Sequence, residues 1–244
     1  LSPVWSTRLP SREIEAKRVL EIRPSVIETR PAMPGDPRAL VARLGRPGLR
    51  AVRAVLAGLA RAQVKDTASL RSFLIEYQTQ VLGPVELTAI QRARWHADRN
   101  EVRELLRLDR QLGEDARLSR FAAASRAVGR AQLRRLQPLK DVRLVRRYWE
   151  AVGAGRASAW HPLVYGVMLS VYSIPMRQGL LHYGGRTLGG FLDAAATPLR
   201  LSLEDCCSLA AELDRALPAL VERSLLPCEP SRDCVCARLP APGA

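Results

Sequence analysis

Residues 114–137, EDARLSRFAAASRAVGRAQLRRLQ, hold the most helix-favouring composition in the chain. Ala, Leu, Arg and Gln dominate, and these side chains lose little rotamer freedom in a helix. Leu118, Phe121, Ala122, Ser125, Val128, Gly129, Gln132, Leu133 and Leu136 recur at helical steps, so the stretch is expected to form one amphipathic helix. Ala122, Ser125 and Gly129 are small, which lets a neighbouring helix come close. Pro138 is expected to end the helix.

Towards the C-terminus, residues 141–152 are amphipathic, and Gly153 and Gly155 mark a loop. His161-Pro162 opens an apolar helix running through Tyr172, and Ser173-Ile174-Pro175 opens a longer, glycine-rich one. A last helix is expected over residues 203–225. Towards the N-terminus, residues 101–112 turn Val102, Leu105, Leu106 and Leu108 inward, with Gly113 as the stop. Asn100 ends the helix before it, which carries Val85, Leu87, Ile90, Ala93 and Ala97. Gly83-Pro84 is expected to finish one helix and begin another, because glycine tolerates a left-handed exit and proline suits a first turn. The preceding stripe, Leu70, Phe73, Leu74, Tyr77 and Val81, starts after Asp66-Thr67-Ala68-Ser69, where a carboxylate or hydroxyl can accept from free helical N–H groups. Leu49, Val52, Leu56 and Leu59 form an earlier stripe.

Strand alternation and repeats of 20 to 50 residues are both absent from the pattern. The expected architecture is therefore all-α: a single helical-bundle domain of about eight to ten helices over residues 39–226. Residues 1–38 carry six prolines without a sustained period and read as a poorly ordered lead-in, with a short helix over 13–20. Residues 227–244 read as a disordered tail, so both tails are expected to be flexible.

The 244 residues are 47% hydrophobic and only 5% aromatic, a mixture suited to aliphatic helix packing. Lys and Arg outnumber Asp and Glu by 38 to 24, a net charge of +14 that raises nucleic acid or an acidic protein as partners. Arginines lie at intervals through nearly every segment and no basic arm or known reader motif is present, which weighs against nucleic acid. A basic helical nucleic-acid-binding regulator stands as the alternative function. No run of about 18 apolar residues predicts a membrane helix, and LSPVWSTRLPSREIEAKR lacks the apolar centre of a secretory signal. Five cysteines, an odd number, favour a reducing compartment, and a cytoplasmic location is expected.

Catalytic signatures fail one by one. Gly184, Gly185, Gly189 and Gly190 fit no phosphate-binding pattern and read as backbone packing. His96, His161 and His182 have no metal-ligand spacing and no evident partner, and His161 before Pro162 suits a helix cap. Cys228, Cys234 and Cys236 are too few and too close for structural zinc, and the vicinal pair Cys206-Cys207 reads as small buried hydrophobes. Paired carboxylates and Ser/His/Asp arrangements cannot be assigned, so the chain reads as a non-enzyme. Arg and aromatic side chains supply most anchoring energy at interfaces. Tyr165, Tyr172, His182, Tyr183 and Arg186, interleaved with small residues, are the candidate partner-interface residues.

Two blocks carry a resemblance. Val64, Asp66, Ser69 and Leu70 open the first, which continues through Leu108-Asp109, Arg120, Ser125, Gly129 and Leu133. The second is HPLVYGVMLSVYSIPMRQGLLHYGGRTLGGFLDAAATPLRL, beginning with His161 and Pro162 and including Gly166. Their order and spacing over about 64–225 resemble the UreF-type urease accessory proteins. The resemblance implies an all-α, homodimeric assembly factor, a chaperone of metallocentre assembly. Such a protein binds a UreD/UreH-type scaffold, recruits a nickel-carrying UreG-type GTPase and docks on apo-urease. No directly bound cofactor is implied, since nickel is handled by the wider complex. The likeness stops before Val64: RLGRPGLRAVRAVLAGLARAQ replaces the family's Gly-Gly-aromatic loop, and an altered reading frame or splice form is the expectation there.

Overall fold

The computed structural model describes residues 58–60, 62–136 and 142–226. The lead-in 1–38 with its helix over 13–20, the positions Leu49, Val52 and Leu56, the Pro138 stop and the tail 227–244 lie outside the described residues. Eight α-helices follow one another among the described residues: α1 (Thr67–Tyr77), α2 (Thr88–Asp98), α3 (Val102–Glu114), α4 (Ala122–Arg135), α5 (Arg143–Gly153), α6 (His161–Val171), α7 (Met176–Ala196) and α8 (Leu203–Leu225). No strand occurs among those residues, and no helix is long and apolar enough to cross a membrane.

α1 starts as its sequence predicts. Ser69 N donates to Asp66 Oδ1 at 2.7 Å and Asp66 N to Ser69 Oγ at 3.1 Å, a reciprocal capping box. The expected break at Gly83-Pro84 does not occur. Gln78–Leu87 is a π-helical segment that carries the chain from α1 into α2, with helical dihedrals at both junctions. The wider coil accommodates a proline that lacks an N–H and would crowd the carbonyl four residues back in an α-helix. Val81, Leu82, Val85 and Leu87 are all buried, so packing holds a conformation that local backbone preference alone would interrupt. Gly83 lies against α8, where an added Cβ would stand 2.6 Å from Leu220 Cδ1.

The stretch 114–137 is likewise not one helix. Ala116–Phe121 forms a 3-10 helix, and α4 begins only at Ala122, with Phe121 at φ −113°, ψ 6° between them. Asp115 starts the tighter coil by accepting from Arg117 N at 2.9 Å, while the Arg117 guanidinium returns to the same carboxylate at 2.8 Å. Phe121 then anchors the turn, its ring within 5.2–5.7 Å of the Phe73, Tyr77 and Phe191 centroids. Helix periodicity does not register such a change of coil, because both coils keep Leu118 and Phe121 inward.

α6 is apolar around its whole circumference, and Pro162 through Leu169 are all buried. A helix without a polar face belongs in the core. α2 crosses it at Gly166, where a Cβ would lie 2.5 Å from Ile90 O and 2.6 Å from Ala93 Cβ. α4 crosses it at Gly129, facing Ala159 and His161. Leu163, Val164, Val167, Met168 and Leu169 alone contribute roughly 10 kcal/mol of gross hydrophobic stabilisation, before conformational entropy is set against it. α7 and α8 close the other side. α8 is tied back by Arg71–Glu212 and Arg177–Glu222 at 2.5 Å each and by Gln91 Nε2 donating to Ser224 O at 3.0 Å.

Candidate functional site

Asp109, Ser125, Gly129, His161 and Pro162, among the residues that carry the family likeness, meet at the start of α6. Asp109, on the inner face of α3 and 2% exposed, accepts from Tyr148 Oη of α5 at 2.8 Å, Ser158 N at 2.6 Å and Ala159 N at 3.0 Å. That carboxylate holds the segment leading into α6, including Ala159 in a left-handed conformation at φ +58°. Burial and the adjacent Asp109 carboxylate push the Tyr148 hydroxyl well above its ordinary pKa, so it stays a donor.

At the helix start itself, His161 does not supply a side-chain cap. Its backbone N–H donates to Ser125 Oγ of α4 at 3.2 Å, so a neighbouring helix satisfies a group that local capping leaves free. The His161 ring instead packs, part-buried, 4.7 Å from the Tyr183 ring and 6.2 Å from that of Tyr165. Gln132 Nε2 is 3.1 Å from His161 Nε2. Burial holds the ring down to a pKa of about 3. His96 also has a partner, Glu101 Oε2 at 2.8 Å.

The five candidate interface residues separate into two groups. Tyr165 (2% exposed) and Tyr183 (1%) are interior, and Tyr165 Oη donates to Gly179 O at 3.1 Å. Tyr172, at the C-cap of α6, and His182 and Arg186 on α7 are half-buried. His182 Nε2, Arg186 Nε and Thr187 Oγ1 have no hydrogen-bond partner among the described residues. Burial, and then the nearby Arg186 charge, lower His182 to a pKa of about 4. Of the other motif residues, Asp66 caps α1, Leu70 and Pro162 are buried, and Arg120 is exposed at the end of the 3-10 helix. Cys206 is buried, whereas Cys207 is exposed, because one helical step turns it outward.

Sequence reasoning missed Glu86, the one acid within the apolar run VLGPVELTAI. It is buried in the π-helical segment and accepts from Tyr77 Oη at 2.8 Å, with the Tyr183 hydroxyl nearby but outside hydrogen-bonding geometry. Burial pushes its carboxyl from 4.5 up to about 7. A raised pKa means that the folded state holds the proton more tightly. The stabilising contribution is therefore complete below pH 4.5 and is lost as pH rises through 7, on the order of 3 kcal/mol in total. His161 and His182, whose pKa values are lowered, act oppositely, losing stability as pH falls below their ordinary 6.5. The readout is accordingly the difference between the wild type and Glu86→Gln. In thermal melts from pH 5 to 8 the wild type is expected to lose ground to the variant with rising pH, and a constant difference would refute the assignment.

No group of three or more His, Cys, Asp or Glu side chains among the described residues is placed to hold a metal ion. Asp109, though a buried carboxylate, spends its oxygens on three structural donors, which makes it a framework residue. Comparison with known proteins gives a match to the UreF family model over residues 64–213, more than half of the 244-residue chain. No curated protein matches the chain. The matched segment contains all of the Asp109, Ser125, Gly129, His161 and Gly166 framework, and the chain belongs to the UreF family, a family of urease accessory proteins.

Proposed function

We propose that this chain is a non-catalytic, cytoplasmic scaffold of urease maturation. It binds a UreD/UreH-type scaffold protein, recruits a UreG-type nickel-carrying GTPase as a homodimer, and brings both to apo-urease, without a cofactor of its own. The observation that carries this reading is the family match over residues 64–213. The surface of α7 supports it: His182 and Arg186 stand half-buried at helical steps from Gly189 and Gly190, where an added Cβ would meet nothing within 4 Å. Such low relief lets a partner helix approach closely.

The purified full chain is expected to co-elute with the UreD/UreH-type scaffold and to hydrolyse no GTP alone. Failure to bind the scaffold, the GTPase and apo-urease would overturn the proposal. Salt-resistant, sequence-selective binding of duplex DNA would replace it with the nucleic-acid reading.

A further inference from the structure

The net charge of the chain is unevenly placed. Residues 99–156 hold 15 Lys and Arg against 7 Asp and Glu, whereas residues 157–226 hold 5 against 6 and residues 58–98 hold 5 against 4. The two regions also treat their arginines differently. In the nearly neutral parts Arg71, Arg94 and Arg177 are paired with Glu212, Asp98 and Glu222. On α3, Arg103, Arg107 and Arg110 recur at steps of four and three and are all exposed, which places them along one outward stripe. α5 packs beside α3, joined to it through the Tyr148–Asp109 hydrogen bond, and exposes Arg143, Arg146 and Arg147. Arg107 is paired with Glu104 at 2.8 Å and Arg146 with Glu150 at 3.9 Å, but Arg103, Arg110, Arg143 and Arg147 have no ion pair among the described residues.

We infer that the outward face of α3 and α5 docks an acidic surface of a protein partner in urease maturation, a site separate from the α7 surface; the inference rests on the maturation reading above. Four guanidinium groups without an ion pair among the described residues lie on two adjacent helices, and an opposing carboxylate-rich surface would pair with them. Guanidinium is the cation suited to the task, because its planar fork can hold a carboxylate with two parallel hydrogen bonds. The face favours protein over nucleic acid because Glu104 and Glu150 lie among its arginines. Those carboxylates repel a closely spaced phosphate backbone, whereas they can pair with basic residues on a mixed protein surface.

The test compares two charge-reversed forms of the full chain, Arg103→Glu/Arg110→Glu/Arg147→Glu and the control Arg200→Glu/Arg215→Glu/Arg223→Glu. Both change the net charge equally and both alter exposed or surface positions, with thermal melts confirming that each folds. Binding to the UreD/UreH-type scaffold, the UreG-type GTPase and apo-urease is measured in turn at about 50 and 300 mM salt. The face variant is expected to bind one of them at least about tenfold more weakly than the control does at low salt, with the gap narrowing at high salt. Equal binding by both variants overturns the docking face and leaves the maturation reading standing. Absence of wild-type binding to all three overturns that reading and the face with it. Loss of tight 24-base-pair duplex binding, confined to the face variant, overturns the protein partner in favour of nucleic acid.

Discussion

Asp109→Ala is expected to destabilise the fold by about 4 kcal/mol, among the largest effects of any single side-chain truncation in this chain. The substitution removes the acceptor of three buried donors, Tyr148 Oη, Ser158 N and Ala159 N, and each unpaired donor costs about 1–3 kcal/mol. It also releases Ala159, whose left-handed φ of +58° has no glycine to ease it. For a chain of this length the loss corresponds to a fall of roughly 10 °C in melting temperature. Tyr148→Phe removes only one of the three bonds and is expected to cost about 1–2 kcal/mol. A double-mutant cycle between the two positions should show strong non-additivity. If Asp109→Ala melts within about 2 °C of the wild type, the carboxylate does not hold the α3–α5–α6 junction together.

Gly129→Ala carries the second large expectation. An added Cβ would collide with Ala159 O, and it would stand 2.9 Å from His161 N and 3.0 Å from Ala159 C. All three are backbone atoms, so no rotamer change relieves the contact, and α4 and α6 must separate. Separation also breaks the Ser125 Oγ bond to His161 N and the Gln132 contact with the imidazole. The expected cost is about 3 kcal/mol or more, with loss of binding to maturation partners as a consequence of the altered α6 position. Gly189→Ala is the control, because its Cβ meets nothing within 4 Å and alanine favours a helix by up to about 1 kcal/mol. Urea unfolding of the pair separates a general effect of losing a helical glycine from the specific collision; equal midpoints would remove the close-approach argument.

Much of the architecture was legible from local pattern. The capping box at Asp66 and Ser69, the reversal at Asn100, the Pro-initiated α6 and the span of α8 each rest on chemistry within a few residues of the position concerned. The two misread junctions share a cause. At Gly83-Pro84 and at Phe121 the chain adopts the less common π and 3-10 coils, which differ from the α-helix by one residue per hydrogen-bonded ring. Hydrophobic spacing cannot resolve that difference, and what selects the coil is contact with residues remote in sequence, Leu220 in one case and Phe191 in the other.

The candidate site was legible by residue and not by role. His161 is the clearest instance: its sequence neighbour Pro162 suggests a cap, yet its ring is neutral and packs against Tyr183 while Ser125 satisfies its backbone. Tyr165 and Tyr183 were grouped with Tyr172, His182 and Arg186 by aromatic and basic character, but helical rotation places the first two inside. Glu86 escaped notice because a lone acid in an apolar run gives no sign of the tyrosine that receives it.

By itself, the order of residues determined that this chain is helical, where most of its helices begin and end, and that its motif residues are those of a urease accessory family. The helical character and the helix ends follow from backbone preference, capping and periodicity, which act over one or two turns, and the family follows from the likeness of the motifs. Only the tertiary structure decided that Asp109, Ser125 and Gly129 all serve the entrance of α6, and that the exposed arginines of α3 and α5 stand on neighbouring helices. Those facts depend on which helices touch and at what rotation, and that is settled by close packing between segments tens of residues apart.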